Sequence, residues 1–381
     1  MGRRGADPLA VCPPMIPVLI MLPPKGPSAA ERWVAEGRLA AAQDLLARLH
    51  KTSPASSLSV LAADPEDREQ LRRQGEILTA DRSEPFHFGR ELALFVEQSG
   101  LPNLAYFGGA SAPLVTPEIL QAAFVNVAEA REPLALVNNY FSTDWIILNH
   151  AERLIPLADR LVNDNALGWV LHHDGGFHVE TLGGLAGWQT DVDTPADLLL
   201  LDGHPALGPN LGAFLASAPA DCMRRIHELG RIIGTPGKIL TIIGRSSASI
   251  WSQLEKRGQI WVRLFAEERG MIASGRDRQG LVRSLIGQML EAWGPQAFVD
   301  SLVSMSDAVL WDTRVWMSHR RSWASVADRY AADLGWADKV EDTGLRALTE
   351  AIIRAPIPII TGGHGCVSGS LQAFLEALEG R

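Results

Sequence analysis

The sequence predicts an α/β protein in two parts. Three observations predict it: alternating strand-like and helical segments, uneven charge, and a cluster of turn-forming residues near mid-chain. In the first half, short apolar runs alternate with helical periodicity, which is typical of a mostly parallel sheet with helices on both faces. Residues 1–204 contain 15 Lys and Arg against 26 Asp and Glu, whereas residues 221–330 contain 16 against 11. Glycine, histidine and two prolines cluster at 203–209. We therefore place a boundary there, between a domain over 1–204 and a second α/β or α-rich domain over 205–381.

The first half divides into elements at its apolar runs and helix caps. We predict strands at 16–22, 57–63, 76–79, 104–107 and 134–137, and helices at 38–49, 65–74, 89–98 and 117–130. Thr116 and Pro117 begin the last of these helices, as its N-cap and its first helical residue. Ligands on such a sheet bind at the carboxyl ends of its strands.

The second half contains more helix and ends in a glycine-rich loop. We predict strands at 238–243, 259–265 and 357–360, and helices at 224–233, 246–256, 278–293, 322–334 and 343–354. A final helix follows the glycine-rich segment 362–369. Several loops at strand ends in this half carry charge, so we expect a ligand site there as well.

Composition excludes several classes of protein. No apolar run reaches the roughly 18 residues that a membrane helix requires, and no dense Lys/Arg tract with interleaved aromatic residues indicates nucleic-acid binding. The three cysteines, Cys12, Cys222 and Cys366, are far apart and odd in number. That pattern argues against a disulfide framework and a thiolate zinc site. We expect a cytoplasmic protein, and the sequence leaves a homo-oligomer open.

Three segments resemble, in order and spacing, the motifs of nucleotidyltransferases. Residues 108–117 read GGASAPLVTP and resemble the Gly-Gly-Asp-x-Pro-Leu-Leu-Thr-Pro turn of small cofactor nucleotidyltransferases. Residues 138–144 follow a strand and read NNYFSTD. Residues 191–198 read DVDTPADL, similar to the Asp-x-Asp-Thr-Pro-Glu-Asp-Leu that closes the domain in molybdenum-cofactor and phospholactate guanylyltransferases and methylerythritol-phosphate cytidylyltransferases. The resemblance covers about half of the chain and implies a nucleotidyltransferase-like fold of the nucleotide-diphospho-sugar transferase kind.

This resemblance implies an enzyme that uses a nucleoside triphosphate and Mg²⁺ to act on a phosphorylated small molecule. Asp191 and Asp193 would be catalytic and bind Mg²⁺, which neutralises the phosphates and orients the α-phosphate. Lys25 would be the third catalytic residue and contact the phosphates. Four residues of the loops after the first and fourth strands would surround the nucleotide: Gly26, Gly108, Gly109 and Ser111.

Two positions depart from the motifs. Ala110 stands where the resembled turn has its metal-binding aspartate, and alanine binds no metal. The loop after the first strand contains three prolines within 23–27, which lack the N–H groups that cradle phosphate. A two-carboxylate site then needs Asp144 or Asp64 as its second member. The alternative is a first domain that serves as a non-catalytic binding or dimerisation module, with a small anionic metabolite bound or converted in the second domain.

Candidate substrate-binding residues of the second half lie in loops after strands. A glycine-rich loop before a helix is suited to bind an anion, and hydroxyl, imidazole and guanidinium groups complete such sites. The candidates are Arg245, Ser246, Arg269, Arg314, His319, His364 and Ser368. Structural alternatives stay open: an Arg–Asp network near Arg314, which would hold helices together, and a plain turn at 362–369.

A histidine cluster in the first half has two interpretations. His172, His173 and His178 flank Asp-Gly-Gly at 174–176. We interpret the segment as a hairpin turn between two strands, with a metal cluster as the alternative.

Overall fold

The strands form two separate sheets, each drawn from a different stretch of chain. The computed structural model describes residues 15–79, 85–257, 260–272 and 274–379, so Cys12 lies outside the described residues. The strands of the first sheet are β1 (Ile16–Leu22), β2 (Ala55–Ala62), β3 (Glu76–Leu78), β4 (Leu104–Gly108), β5 (Leu134–Val137), β6 (Trp145–Leu148) and β7 (His178–Thr181). Those of the second are β8 (Ile239–Gly244), β9 (Trp261–Ala266), β10 (Ala308–Asp312) and β11 (Ile359–Gly362).

Helices connect the strands and cover the sheets. The helices up to residue 216 are α1 (Ala29–Leu49), α2 (Pro65–Leu71), α3 (Phe88–Ser99), α4 (Pro117–Glu129), α5 (Leu167–His173), α6 (Ala186–Gln189), α7 (Pro195–Leu199) and α8 (Pro209–Ala216). The later ones are α9 (Ala220–Ile233), α10 (Ala248–Arg257), α11 (Leu285–Trp293), α12 (Pro295–Met305), α13 (Arg314–His319), α14 (Val326–Leu334), α15 (Thr343–Arg354) and α16 (Gly369–Glu379). Short 3₁₀ helices lie at Ala151–Arg160, Asp164–Ala166, Ala337–Lys339 and His364–Val367.

The first sheet has the strand order β3-β2-β1-β4-β6-β5-β7. Only β6 runs antiparallel to its neighbours within this sheet. The chain leaves β1 toward β2 on one side and returns to β4 on the other. This reversal opens a crevice at the carboxyl ends of β1 and β4, where ligands of open α/β sheets bind. The predicted α/β class is confirmed.

The second sheet is smaller and also contains a reversal of strand order. Its order is β11-β10-β8-β9, and all four strands are parallel. The reversal lies between β8 and β10, so a second crevice forms at their carboxyl ends.

Helix α7 lies between two apolar clusters. Ala196 and Leu199 belong to the core around the second sheet. Leu198, between them in sequence, belongs with Ala40 and Ala41 of α1 to a separate apolar cluster. A helix of only five residues therefore contributes to both clusters, which fixes the segment before it relative to α1 and to the second sheet. The boundary at 203–209 stays a prediction.

Helix starts account for two differences from the predicted elements. Helix α1 begins at Ala29 rather than at 38, because Ser28 forms a capping box with Glu31. Helix α11 begins at Leu285 rather than at 278, since the hydroxyl of Ser284 caps it.

Four further elements were not predicted: strands β6 and β10 and helices α12 and α13. Strands β6 and β10 are short and fully buried, and such strands show no alternation of polar and apolar residues.

The interpretation of 172–178 as a hairpin is wrong. His172 and His173 end helix α5, and His178 begins β7 after a turn. Helical hydrogen bonds continue to Asp174, whose N–H donates to the carbonyl oxygen of Val170. Within the described residues, no group of three or more His, Cys, Asp or Glu side chains is arranged to hold a metal ion.

The helices and the two described cysteines can be compared with what the composition predicts. None of the helices in the described ranges combines the length and apolar character that crossing a bilayer needs. Cys222 and Cys366 are buried free thiols.

Asp44 of α1 caps helix α8, which leads to the first prediction. Its carboxylate accepts hydrogen bonds from the N–H groups of Asn210 and Leu211, at 3.1 and 2.9 Å. We expect Asp44→Ala to lower the free energy of unfolding by about 2 kcal/mol, because it strands buried N–H donors. Urea denaturation measures this, with Glu36→Ala on the exposed side of α1 as the control. Equal stability of both variants would contradict the capping role.

Candidate functional site

The segment before α7 lies where the carboxyl edges of both sheets meet. Asp197 fixes it from inside: its carboxylate accepts hydrogen bonds from the N–H of Thr194 at 2.7 Å and of Asp193 at 3.2 Å. Ser370, at the start of α16, donates its hydroxyl to the other oxygen at 2.9 Å. Asp197 is fully buried. Burial, followed by the charge of Asp193, raises its pKa to about 7.

Two side chains from distant helices hold the same segment from outside. Arg38 of α1 donates to the carbonyl oxygens of Val192 at 2.9 Å and Asp193 at 3.1 Å. Tyr330 of α14 donates its hydroxyl to the Asp193 carbonyl at 2.7 Å. With its backbone held on both sides, the segment carries Asp191 and Asp193 in defined positions.

Asp144 and Asp191 form a pair of carboxylates at the edge of the first sheet. Burial raises the pKa of both; the charge of Asp144 raises that of Asp191 further, and the charges of Asp193 and Asp164 raise that of Asp144. Asp144 directly precedes β6, and its carbonyl accepts from the N–H of Gly108 at 2.9 Å. Asn138 donates to its carboxylate at 2.5 Å. Two carboxylates that repel each other in a partly buried place are suited to bind a cation.

Asp64, the other candidate for a second carboxylate, lies elsewhere. It accepts a hydrogen bond from the backbone N–H of Lys25 at 2.7 Å. The ammonium group of Lys25 pairs with Asp67 at 2.7 Å and with Glu66 at 3.3 Å. Although burial lowers the pKa of Lys25, these two carboxylates raise it above the ordinary value. Lys25 thus lies at the end of β1 with its charge directed to α2.

The glycines predicted to surround a nucleotide shape the two loops. A Cβ at Gly109 would lie 2.6 Å from the side chain of Leu22, so only glycine lets this loop approach β1. A Cβ at Gly26 would lie 2.2 Å from Glu31. The hydroxyl of Ser111 donates to the carbonyl of Gly108 at 2.9 Å and is thereby used within the turn.

The carboxyl edge of the second sheet is built around an ion pair. Arg245 follows β8 and donates to both oxygens of Asp312, the last residue of β10, at 2.5 and 3.2 Å. Burial alone would raise the pKa of Asp312, but Arg245 holds it below the ordinary value. A Cβ at Gly244 would lie 2.5 Å from that of Asp312, and Gly244 has φ +128°. Glycine is therefore required for the two strands to bring this pair together.

Arg314 and His319 form no part of the Arg245–Asp312 pair and contact other residues. Arg314 forms a buried bidentate pair with Asp333 at 3.1 and 2.5 Å, as the structural alternative of an Arg–Asp network predicted. His319 accepts from the N–H of Ser284 at 3.3 Å and lies 3.7 Å from Glu291. Within the described residues, no hydrogen bond joins His319 to Asp312.

His364 lies in the glycine-rich loop after β11. Burial, then the charges of Arg245 and Arg269, lower its pKa to about 4, so the imidazole is neutral at neutral pH. Ser368 donates its hydroxyl to the His364 carbonyl at 2.7 Å. The Nε2 atom of His364 is buried without a hydrogen-bond partner among the described residues.

Asp193 connects the two edges. Its charge raises the pKa of Asp144 and Asp191 on the first sheet. The same charge also raises the pKa of Arg245 and acts on His364 in the second. The charge of Asp193 therefore acts on the carboxylates of the first edge and on Arg245 and His364 of the second, whereas Lys25, Arg314 and His319 have other partners.

Sequence reasoning missed the residues that hold this region in place. Arg38 and Tyr330 contact Asp193 across 155 and 137 positions. Asp164, which raises the pKa of Asp144, follows no motif. No local pattern marks such partners, because their role arises from tertiary contacts.

Comparisons with known proteins place this chain beside solved nucleotidyltransferase structures. No family model and no curated protein matches it. A nucleotidyl transferase from Methanothermobacter is 15% identical (TM-score 0.35), covering 55% of this chain and 98% of its own. A cytidylyltransferase from Leptospira borgpetersenii is 12% identical (TM-score 0.38), covering 57% and 94%. A Mycobacterium tuberculosis protein in complex with manganese is 17% identical (TM-score 0.32), covering 54% and 100%. The first two bear names of the class that the sequence motifs resemble, and each match covers about half of this chain.

Glu267, which follows β9, gives the second prediction. Burial raises its pKa from 4.5 to about 7. A carboxyl group with a raised pKa stabilises the fold while protonated, and that contribution is lost as the pH rises from about 4.5 through 7. We expect Glu267→Gln to unfold like the unsubstituted protein at pH 4.5. At pH 8 it should be more stable, by about 1 to 3 kcal/mol.

Urea denaturation at both pH values measures the difference. Glu268→Gln, at the neighbouring position, is the matched control and should show no such pH-dependent gain. A Glu267→Gln variant with the same pH profile as the unsubstituted protein would contradict the assignment.

Proposed function

We propose that this protein transfers a nucleotidyl group from a nucleoside triphosphate to a phosphorylated small molecule, with a divalent cation held by Asp144 and Asp191. The observation that carries the proposal is the pair itself. Its two carboxylates lie at the edge where open α/β sheets bind ligands, both have a pKa raised by burial, and the charge of Asp144 raises that of Asp191 further. A cation between them would remove their repulsion.

The donor set fits Mg²⁺. This ion prefers oxygen ligands, and it is usually bound by one or two carboxylates together with water and substrate phosphates. A two-carboxylate site is in keeping with the absence, within the described ranges, of a three-residue metal cluster. Asp144 thus supplies the carboxylate that Ala110 lacks. When bound, the cation would neutralise phosphate charge and orient the α-phosphate.

In the proposed reaction, an oxygen of the acceptor attacks the α-phosphorus, and the bond to the pyrophosphate oxygen breaks. Pyrophosphate leaves with the electron pair of that bond. Asp193, exposed at the rim, faces incoming substrate. Lys25 would exchange Asp67 and Glu66 for the phosphates of the nucleotide.

The nucleotide needs the first crevice to open. The cavity beside the loop after β1, lined in part by Pro23, Pro24 and Arg38, has a volume of about 60 Å³. Ligand pockets usually measure about 300 to 1,000 Å³. Val326 and Tyr330 of the second half also line this cavity. Opening therefore involves a shift of α14 away from β1.

The third prediction tests the cation pair. Mg²⁺ with GTP, CTP or ATP should raise the melting temperature, and one of them should release pyrophosphate when a phosphorylated acceptor is present. Asp144→Asn and Asp191→Asn should each lower that rate by at least about a hundredfold, because a bound cation stabilises the transition state by several kcal/mol.

Asp159→Asn is the control, since Asp159 is an exposed carboxylate that pairs with Arg90 and has no part in the proposed site. It should keep the metal-dependent stabilisation. If no nucleotide stabilises the protein, or if the two variants respond like the control, the proposal is wrong. The first domain is then a binding or dimerisation module.

A further inference from the structure

We infer that the carboxyl edge of the second sheet is a ligand site of its own, and that its ligand is a small phosphorylated sugar or polyol. The inference is independent of nucleotidyl transfer, because it rests on side chains other than the Asp144–Asp191 pair. Four observations support it: a row of polar residues at consecutive strand ends, three buried polar atoms without partners among the described residues, an arginine without an ion pair among the described carboxylates, and the reversal of strand order at this place.

Each strand of the second sheet ends at a side chain that can bind or exchange protons. In the spatial order of the strands these are His364 after β11, Asp312 at the end of β10, Arg245 after β8 and Glu267 after β9. Neighbouring strands lie about 4.8 Å apart, so the row spans about 14 Å, the size of a small metabolite. The Arg245–Asp312 pair lies in its middle, at the point where the strand order reverses.

Three buried polar atoms along this row have no hydrogen-bond partner among the described residues. They are the hydroxyl of Ser246, the outer carboxyl oxygen of Glu267 and Nε2 of His364. Ser246 is only 6% exposed. Leaving such an atom unpaired costs about 1 to 3 kcal/mol, and native proteins contain few of them. Three at one sheet edge therefore point to a ligand that supplies the missing hydrogen bonds, as the hydroxyl groups of a polyol would.

The charge at this edge favours an anion. Asp312 neutralises Arg245, and Asp333 neutralises Arg314. Arg269, in the loop after β9, is exposed and forms no ion pair with the described carboxylates, yet it is close enough to affect His364. A guanidinium group without a counter-charge suits a phosphate monoester, which accepts two parallel hydrogen bonds.

Calorimetric titration with ribose 5-phosphate tests the inference, on the full chain without nucleotide and with EDTA present. The protein should bind ribose 5-phosphate at least about tenfold more tightly than ribose, since the phosphate adds a charge-assisted contact. Arg269→Gln should weaken this binding about tenfold, and Ser246→Ala should weaken it as well. Arg231→Gln is the control: this exposed arginine of α9 pairs with Glu228 and should leave the affinity unchanged.

Three results would overturn the inference. One is no heat of binding with either ribose 5-phosphate or glycerol 3-phosphate at millimolar concentration. A second is equal affinity of Arg269→Gln and the unsubstituted protein, which is decisive because an exposed side chain can be changed without unfolding the chain. A third is loss of binding in Asp144→Asn, since the sugar phosphate would then occupy the edge of the first sheet.

Discussion

The burial of Asp197 is the interaction on which the arrangement of both sheet edges depends. One of its oxygens accepts from the backbone that carries Asp193, and the other accepts from Ser370 of the last helix. Gly365 has to be glycine, because a Cβ there would lie 2.0 Å from the Asp197 carboxylate. Burial raises the pKa of this group to about 7, so the carboxylate is destabilised where it lies. Its hydrogen bonds hold the first and last parts of the chain together nonetheless.

The segment that Asp197 holds lies between two sheet edges that differ in charge. Because the segment before α7 is fixed, Asp191 is held where the charge of Asp144 raises its pKa, and the proposed cation would relieve that repulsion. On the other side, Asp312 neutralises Arg245, and Arg269 supplies the positive charge that a phosphate group needs. A ligand that carries phosphates therefore meets positive charge at the second edge, whereas at the first edge it would need a cation between itself and the carboxylates; Asp193 lies between the two edges.

Local signals predicted much of the fold and less of the site. Residues 134–137 were predicted and form β5, because their apolar run is short and lies between turn-forming residues, which favours a buried strand over a helix. Thr116 does cap α4. Asp144 was one of two open alternatives, and the observation that favours it is tertiary: its charge raises the pKa of Asp191. The role of Arg38 was not predictable, since it depends on a partner 155 residues away.

The most direct test is a titration of histidine-labelled protein with Mn²⁺, followed by nuclear magnetic resonance. If Asp144 and Asp191 bind the cation and Asp193 joins the two edges, Mn²⁺ should broaden the imidazole signals of His364, identified with His364→Gln. Diamagnetic Mg²⁺ should leave them sharp, and Asp191→Asn should abolish the broadening. An unbroadened His364 at saturating Mn²⁺, or broadening that persists in Asp191→Asn, would contradict the account.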